Sequence, residues 1–329
     1  MQIRDGPAAV RGDAPPPDAT GREAGKAAWE GAPSQKTCRE PSALEPLAEG
    51  GFVAKLSLFL AAIAALLVVS PASPATPHRI VSLSPTATES LFAIGAGRQV
   101  IAVDNESDYP KRAPRTNLSG FTPNVEAIAS YRPDLVVVEF DAGGVVEGLR
   151  KLGIRVVVES TANNLPEAYG QIKRLGAVTG HLKRAKALVR RMQRQITKLV
   201  RSARHPKLSV YHELTPDYYT ATSHTFIGRV YRLFGVRNIA DAAGTTGTEF
   251  PKLSAEYILS ANPSLIVLAD TRCCGQSLAT VKRRPGWSGL KAVRTGAVVG
   301  VDDSVASRWG PRVVNFVRAI AKALNRVRS

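Results

Sequence analysis

Apolar and polar positions along this chain follow two periods, one of three to four residues and one set by short apolar runs. The clearest case spans residues 181–203. There Leu182, Ala185, Val189, Met192, Ile196, Leu199 and Ala203 form one apolar stripe, while Lys183, Arg184, Lys186, Arg190, Arg191, Arg194, Lys198 and Arg201 cover the rest. The spacing predicts a single amphipathic helix with Thr179 as its N-cap and His205, ahead of Pro206, as its stop. At 1.5 Å per residue such a helix is about 35 Å long, enough to join two lobes.

On either side of it, short β-branched runs alternate with short helices. Residues 79–83 read as a strand, and Ser84 and Pro85 as a turn. A helix over 87–94 follows, with Thr86 as cap and Glu89 at the capping-box spacing, and then a strand over 100–103. A helix over 125–130, a strand over 135–139, a helix over 145–152 and a strand over 156–158 complete the first half. Asn164 caps a helix reaching Val178, with Glu167 at its third position. The alternation resumes with a strand over 208–211, a helix over 227–233 and a strand over 238–240, and the chain ends in an amphipathic helix over 313–324. Strands alternating with helices predict parallel sheets.

The two halves also repeat each other. VEAIASYRPDLVVV and AEYILSANPSLIVL overlay without a gap at an offset of 130 residues, pairing Glu126 with Glu256, Ile128 with Ile258, Pro133 with Pro263 and Leu135 with Leu265. The expected fold is therefore α/β, with two Rossmann-like lobes of parallel sheet joined by one long rigid helix. The expected boundaries are a leader at 1–51, disordered or not translated, and a signal peptide at 52–75. An N-terminal lobe at 76–163, linker helices at 164–205 and a C-terminal lobe at 206–329 follow. The signal reading rests on Lys55 ahead of an apolar run over 56–69 and a small-residue end at Ser73, Pro74 and Ala75, with the cut after Ala75. The run is shorter than the ~20 residues a bilayer asks of a retained anchor. No cysteine follows it closely, which points to a periplasmic protein without a lipid anchor. Val53 is a candidate start if encoded by GTG.

Composition sharpens this picture. The 329 residues carry 44 Lys/Arg against 27 Asp/Glu, a formal charge of +17, and the part after residue 75 holds 37 of the basic and 19 of the acidic residues. The basic residues lie on helix faces without interleaved aromatics, so no nucleic-acid partner is expected. No G-x-S-x-G elbow, HExxH helix or phosphate loop is present, and no enzyme is expected. No histidine pair has metal-site spacing, so no resident metal or cofactor is expected.

RIVSLSPTATESLFAIGAG, the SDYP of residues 107–110, NVEAIASYRPDLVVV and LSAEYILSANPSLIVLAD together resemble the helical-backbone periplasmic binding proteins that deliver cobalamin, ferric siderophores or haem to ABC importers. The pattern is most similar to the cobalamin-binding members. The resemblance implies a monomeric receptor that holds a corrinoid, or alternatively a ferric chelate or haem, between its lobes and hands it to an ABC permease dimer with its ATPase. It also implies that Glu126 and Glu256 dock on that permease; the plain alternative is that each is a solvated helix residue. Residues 34–39 can be encoded by a sequence resembling the closing strand of a cobalamin riboswitch, which leans toward a corrinoid.

Open α/β sheets bind ligands at the C-terminal ends of their strands. The candidates there are Pro85, Tyr109, Phe121 and Phe140 in the first half, and Tyr219, His224, Arg272, Asp303, Arg308 and Trp309 in the second. Aromatic and cationic groups suit a large flat macrocycle with polar side groups. Phe121 lies within a residue of a tryptophan that packs on the ligand in the cobalamin receptors, and Arg308 matches an arginine of theirs, whereas Trp309 departs from their pattern. His224 and, more weakly, His212 are candidates for an axial metal ligand. Cys273 and Cys274 form a vicinal disulfide or remain as two free thiols; adjacent Cα atoms stand closer than most disulfides prefer.

Overall fold

The computed structural model describes residues 76–204, 207–243 and 247–327. The leader, the signal segment, and His205 with Pro206 lie outside them. The elements in chain order are β1 (Ile80–Leu83), α1 (Pro85–Ile94), β2 (Val100–Val103), α2 (Val125–Ser130), β3 (Leu135–Val138), α3 (Val145–Lys151) and β4 (Arg155–Val158). They continue with α4 (Leu165–Val178), α5 (Leu182–Ser202), β5 (Ser209–Glu213), α6 (Phe226–Arg232), β6 (Arg237–Asn238), α7 (Ala255–Ala261) and β7 (Leu265–Leu268). The last are α8 (Leu278–Lys282), α9 (Lys291–Arg294), β8 (Val298–Gly300), α10 (Asp303–Ser307) and α11 (Val313–Arg326).

Two four-stranded sheets result, ordered β2-β1-β3-β4 and β6-β5-β7-β8, and every pairing in both is parallel. The expected α/β fold with two lobes and a long joining helix is what the structure has. The central strands are buried along their whole length, as strands covered on both faces must be. In the first sheet, Ile80, Leu135 and Val137 face the core that also takes in α1, α4 and α5, while Val81, Leu83, Val136 and Val138 face α2 and α3.

The repeat extends into the backbone. Asn124 caps α2 by accepting from Ala127 N–H, and Ser254 caps α7 by accepting from Tyr257 N–H, both at the offset of 130. Just beyond these helices, Arg132 and Asn262 both take a left-handed conformation, with φ of 48° and 41°. Strands β3 and β7 share the same offset, and β1 and β5 pair with them in matching register, so that Leu83 corresponds to Glu213.

The helix α5 has 21 residues and buries Ala185, Leu188, Val189, Met192 and Ile196. It packs chiefly on α4 and α11. Four local expectations are corrected. Thr179 does not cap α5, because its hydroxyl donates back to Leu175 O at the end of α4, and His181 holds the cap position without a side-chain bond. Ser84, not Thr86, caps α1, since Pro85 fills the first helical position and the cap must precede it. Glu89 therefore makes no capping box; it points into the protein and meets two arginines. The strand expected over 238–240 stops at Asn238, whose side chain accepts from Ala240 N–H and starts a 3₁₀ turn over Ile239–Ala242.

Candidate functional site

The C-terminal ends of β1, β2 and β3 bring Leu83, Asp104 and Glu139 to one edge of the first sheet. The segment after α10 brings Ser307, Arg308 and Trp309 against them from the second half of the chain. A cavity of about 230 Å³ lies at this junction, lined also by Pro85, Thr86, Glu106, Gly120, Phe121 and Phe140. Gly120 is needed where it stands: a Cβ there would come within 2.7 Å of Leu83 O and 3.3 Å of Asp104 Oδ2.

Of the ten residues expected to touch ligand, five line the cavity: Pro85, Phe121, Phe140, Arg308 and Trp309. Phe121 and Phe140 stand exposed at its mouth with ring centroids 5.9 Å apart. Trp309 is nearly buried, and its indole N–H donates to Gln171 Oε1 at 2.8 Å, which fixes the ring against the cavity. The other five lie elsewhere. Tyr109 lies beneath the Arg312 guanidinium, 4.3 Å from it to the ring centroid. Tyr219 stands under Lys252 Nζ. His224 is exposed, with its carbonyl accepting from Arg229 Nε. Arg272 spans Asp302 at 3.1 Å and Asp108 at 3.6 Å. Asp303 accepts from Arg272 N–H, Cys273 N–H and the Thr271 hydroxyl, and so ties down its own loop. That loop carries Cys273 and Cys274, which the structure joins to each other. His212 is closed off in the core, 2.6 Å from Tyr231 Oη, and burial brings its pKa down to about 3. It is neutral and unreachable, which removes it as an axial ligand.

Carboxylates dominate the polar lining. Burial raises the pKa of Asp104 against the opposing hydrogen bonds of Ser107 and Glu106 N–H. Burial likewise raises Glu139, although the Ser84 hydroxyl donates to it at 3.1 Å. One cation, Arg308, stands beside them, and its guanidinium is already engaged by Glu89, Asp108 and Glu106 O. Burial alone would raise Asp108, but Arg308, Arg312 and Arg272 together bring its pKa below the ordinary value. Glu89 accepts from Arg312 at 2.5 and 2.9 Å and from Arg308 at 3.1 Å, so three arginines of the second half grip two acids of the first.

The matching edge of the second sheet is built differently. Glu213, at the end of β5, takes Arg284 through two bonds of 2.5 and 2.6 Å, and Arg284 also reaches Gln276 at 2.7 Å. The guanidinium stacks over Trp287 and Tyr218. Asp270, just past β7, is wholly buried, and neither of its oxygens accepts a hydrogen bond. Burial, reinforced by the adjacent Glu213, lifts its pKa to about 7.

Sequence reasoning missed Glu139, Glu89, Glu213, Asp270 and Arg284. Glu139 had a signal, as the first acid after an all-apolar strand run. Glu89 and Arg312 had none, since they meet across more than two hundred residues.

Glu126 and Glu256 both occupy the second position of their helices and are exposed. A helix that runs back to the start of the next strand has its first turn at the C-terminal edge of the sheet, so both acids stand on the same edges as the cavity.

The family described as periplasmic binding protein matches residues 80–305. An uncharacterised ABC transporter substrate-binding lipoprotein of Bacillus subtilis is 30% identical over 259 residues, 75% of this chain and 80% of its own length. A cobalamin-binding protein of Halobacterium salinarum is also 30% identical over 259 residues, 76% of this chain and 70% of its own. Among solved structures, a protein of Staphylococcus epidermidis described as a possible iron-binding periplasmic solute-binding protein superposes with a TM-score of 0.65 at 27% identity. That superposition covers 76% of this chain and 99% of the other.

Proposed function

The chain belongs to the periplasmic binding protein family, and from that premise we propose that it is the extracytoplasmic receptor of an ABC importer that captures a corrinoid between its lobes. The observation that carries the choice of cargo is the lining of the cavity. Exposed ring faces at the mouth suit the faces of a macrocycle, and the polar groups behind them are carboxylates with one engaged arginine. A corrin ring has carboxamides on its rim, whose N–H groups donate to carboxylates. Haem propionates and anionic ferric chelates would instead place negative charge against Asp104, Glu106 and Glu139. At about 230 Å³ the cavity is below the ~300–1,000 Å³ of most ligand pockets, so it takes one edge of such a cargo while the rings of Phe121 and Phe140 take its face. The name of the Halobacterium relative supports the same cargo.

A ferric chelate or haem is the second reading, favoured by the name of the Staphylococcus structure. Capture and hand-over need no turnover, so no enzymatic step is part of the proposal. The receptor acts as a monomer with no nucleic-acid partner, and Glu126 and Glu256 meet a two-fold permease dimer with its ATPase. Residues 52–75 act as a signal peptide cut after Ala75, leaving an N-terminus without lipid. An intact mass of the exported protein carrying an acyl group would contradict that last part.

Titration of the purified protein with cyanocobalamin, haem and a ferric catecholate tests the cargo. Saturable binding of cyanocobalamin alone is expected. Binding of only haem or the catecholate would replace the corrinoid by the second reading, and binding of none would remove the receptor assignment.

A further inference from the structure

Between Glu167 and Glu213 the chain has twelve Lys/Arg and no Asp or Glu, so most of the net charge of +17 sits in this one segment. Eight of the twelve are on α5, and all eight are exposed. Six of them, Lys183, Lys186, Arg190, Arg194, Lys198 and Arg201, follow one another at steps of three or four residues. They form an unbroken cationic ridge from the first turn of the helix to the last, with neighbours about 5–6 Å apart. Among the described residues none of the six makes an ion pair. Each step sets like charge against like charge, which weakens a helix. A face needing only solubility would interleave glutamates, as Glu147 and Lys151 do on α3.

The ridge also has a definite place in the fold. Gln99, just ahead of β2, donates to Thr179 O, and Arg184 lies against Gly95, where α1 ends. The helix α5 therefore starts at the N-terminal edge of the first sheet, and it ends seven residues before β5 opens the second. It runs along the edge opposite the cavity and the two acids Glu126 and Glu256.

We propose that this ridge binds a linear phosphodiester polymer of the cell envelope, holding the receptor by its back while the cleft edge stays free. A row of single charges every 5–6 Å along a straight rod matches a chain with one phosphate per repeat better than a flat lipid surface. The exposed apolar residues of α5 are only Leu182, at its first position, and the small Ala187, too little to enter a bilayer. The assignment to an envelope polymer rests on the extracytoplasmic reading above, whereas the ridge itself does not depend on the cargo.

The test uses the exported protein and poly(glycerol phosphate), with binding followed between 50 and 200 mM salt by fluorescence anisotropy. The wild type binds, and its affinity falls steeply with salt. The variant with Lys186→Gln, Arg190→Gln, Arg194→Gln and Lys198→Gln lowers the log–log salt slope by about 3, since each phosphate that a side chain neutralises adds roughly 0.7 to it. A control with Lys111→Gln, Arg150→Gln, Arg283→Gln and Arg294→Gln keeps the wild-type slope. Both variants retain cyanocobalamin affinity and thermal midpoint, which separates failure here from failure of the receptor reading. No binding by the wild type at 50 mM salt, equal losses in the two variants, or binding only to phosphatidylglycerol/phosphatidylcholine vesicles would each overturn the proposal.

Discussion

Arg308 Nη1 lies 2.7 Å from Asp108 Oδ1 and 3.1 Å from Glu89 Oε1, so one guanidinium from the second half of the chain joins two acids of the first. Arg312 completes the arrangement on Glu89, which is only 2% exposed. The lobes are thus fastened at the cavity by charge as well as by α5 at the opposite edge.

Removing the shared acid takes both bonds from the nearly buried Arg312 and one from Arg308, which keeps Asp108. Glu89→Gln is expected to lower the unfolding free energy by about 3 kcal/mol, measured by urea denaturation. A loss below ~1 kcal/mol would mean the network behaves as a surface ion pair.

Asp270 makes stability depend on pH in a defined window. Its folded-state pKa of about 7 lies above its ordinary 3.8, so between these values the native state holds a proton that the unfolded chain has released. Stability from this group falls as pH rises from about 4 to about 7 and is level above. Glu213 and Tyr211 on β5 and Arg284 beyond α8 are the groups that face it. Asp270→Asn should remove this component, so that the difference in thermal midpoint between variant and wild type changes across the window. Parallel curves would contradict the assignment.

The rings at the cavity divide by burial. Phe121 is 69% exposed, and Phe121→Ala is expected to weaken cyanocobalamin binding about 5- to 10-fold while leaving the thermal midpoint unchanged. Trp309→Ala removes a nearly buried indole and its bond to Gln171, and should cost about 3 kcal/mol of stability as well as affinity. An unaltered dissociation constant for the Phe121 variant would take that ring out of the site.

Reversal of the two acids proposed to dock, Glu126→Arg with Glu256→Arg, should abolish uptake in cells while the purified variant binds cargo as before. Normal uptake would return both residues to the solvated surface.

Iodoacetamide should leave Cys273 and Cys274 unlabelled in the exported protein and label both after reduction, as read by peptide mass. Labelling without reductant would show two free thiols.

The fold was legible because its signals are local. An apolar stripe at helical spacing produced α5, and the gapless match around Glu126 and Glu256 anticipated two sheets of the same strand order. Thr179 and Thr86 misled because a hydroxyl near a helix start looks alike whether it caps that helix, lies inside it or ends the one before; Gly180 and Pro85 decide the matter through backbone geometry. The cavity was half legible. Phe121 and Phe140 follow strand ends, where position along the chain predicts position in the cleft. Tyr109 and Arg272 also follow strand ends, but distant partners claim them: Arg312 covers the tyrosine, and Asp108 with Asp302 holds the arginine. Such pairings depend on how the halves meet, and no short window of sequence records that.

The two sheets have the same plan, yet Leu83 corresponds to Glu213 and Phe140 to Asp270. The first edge sets exposed rings in front of its acids, whereas the second locks its acid into a bidentate pair with Arg284. The two faces are therefore not interchangeable, and on the proposed reading a cargo between them would meet a different chemistry on its left and on its right.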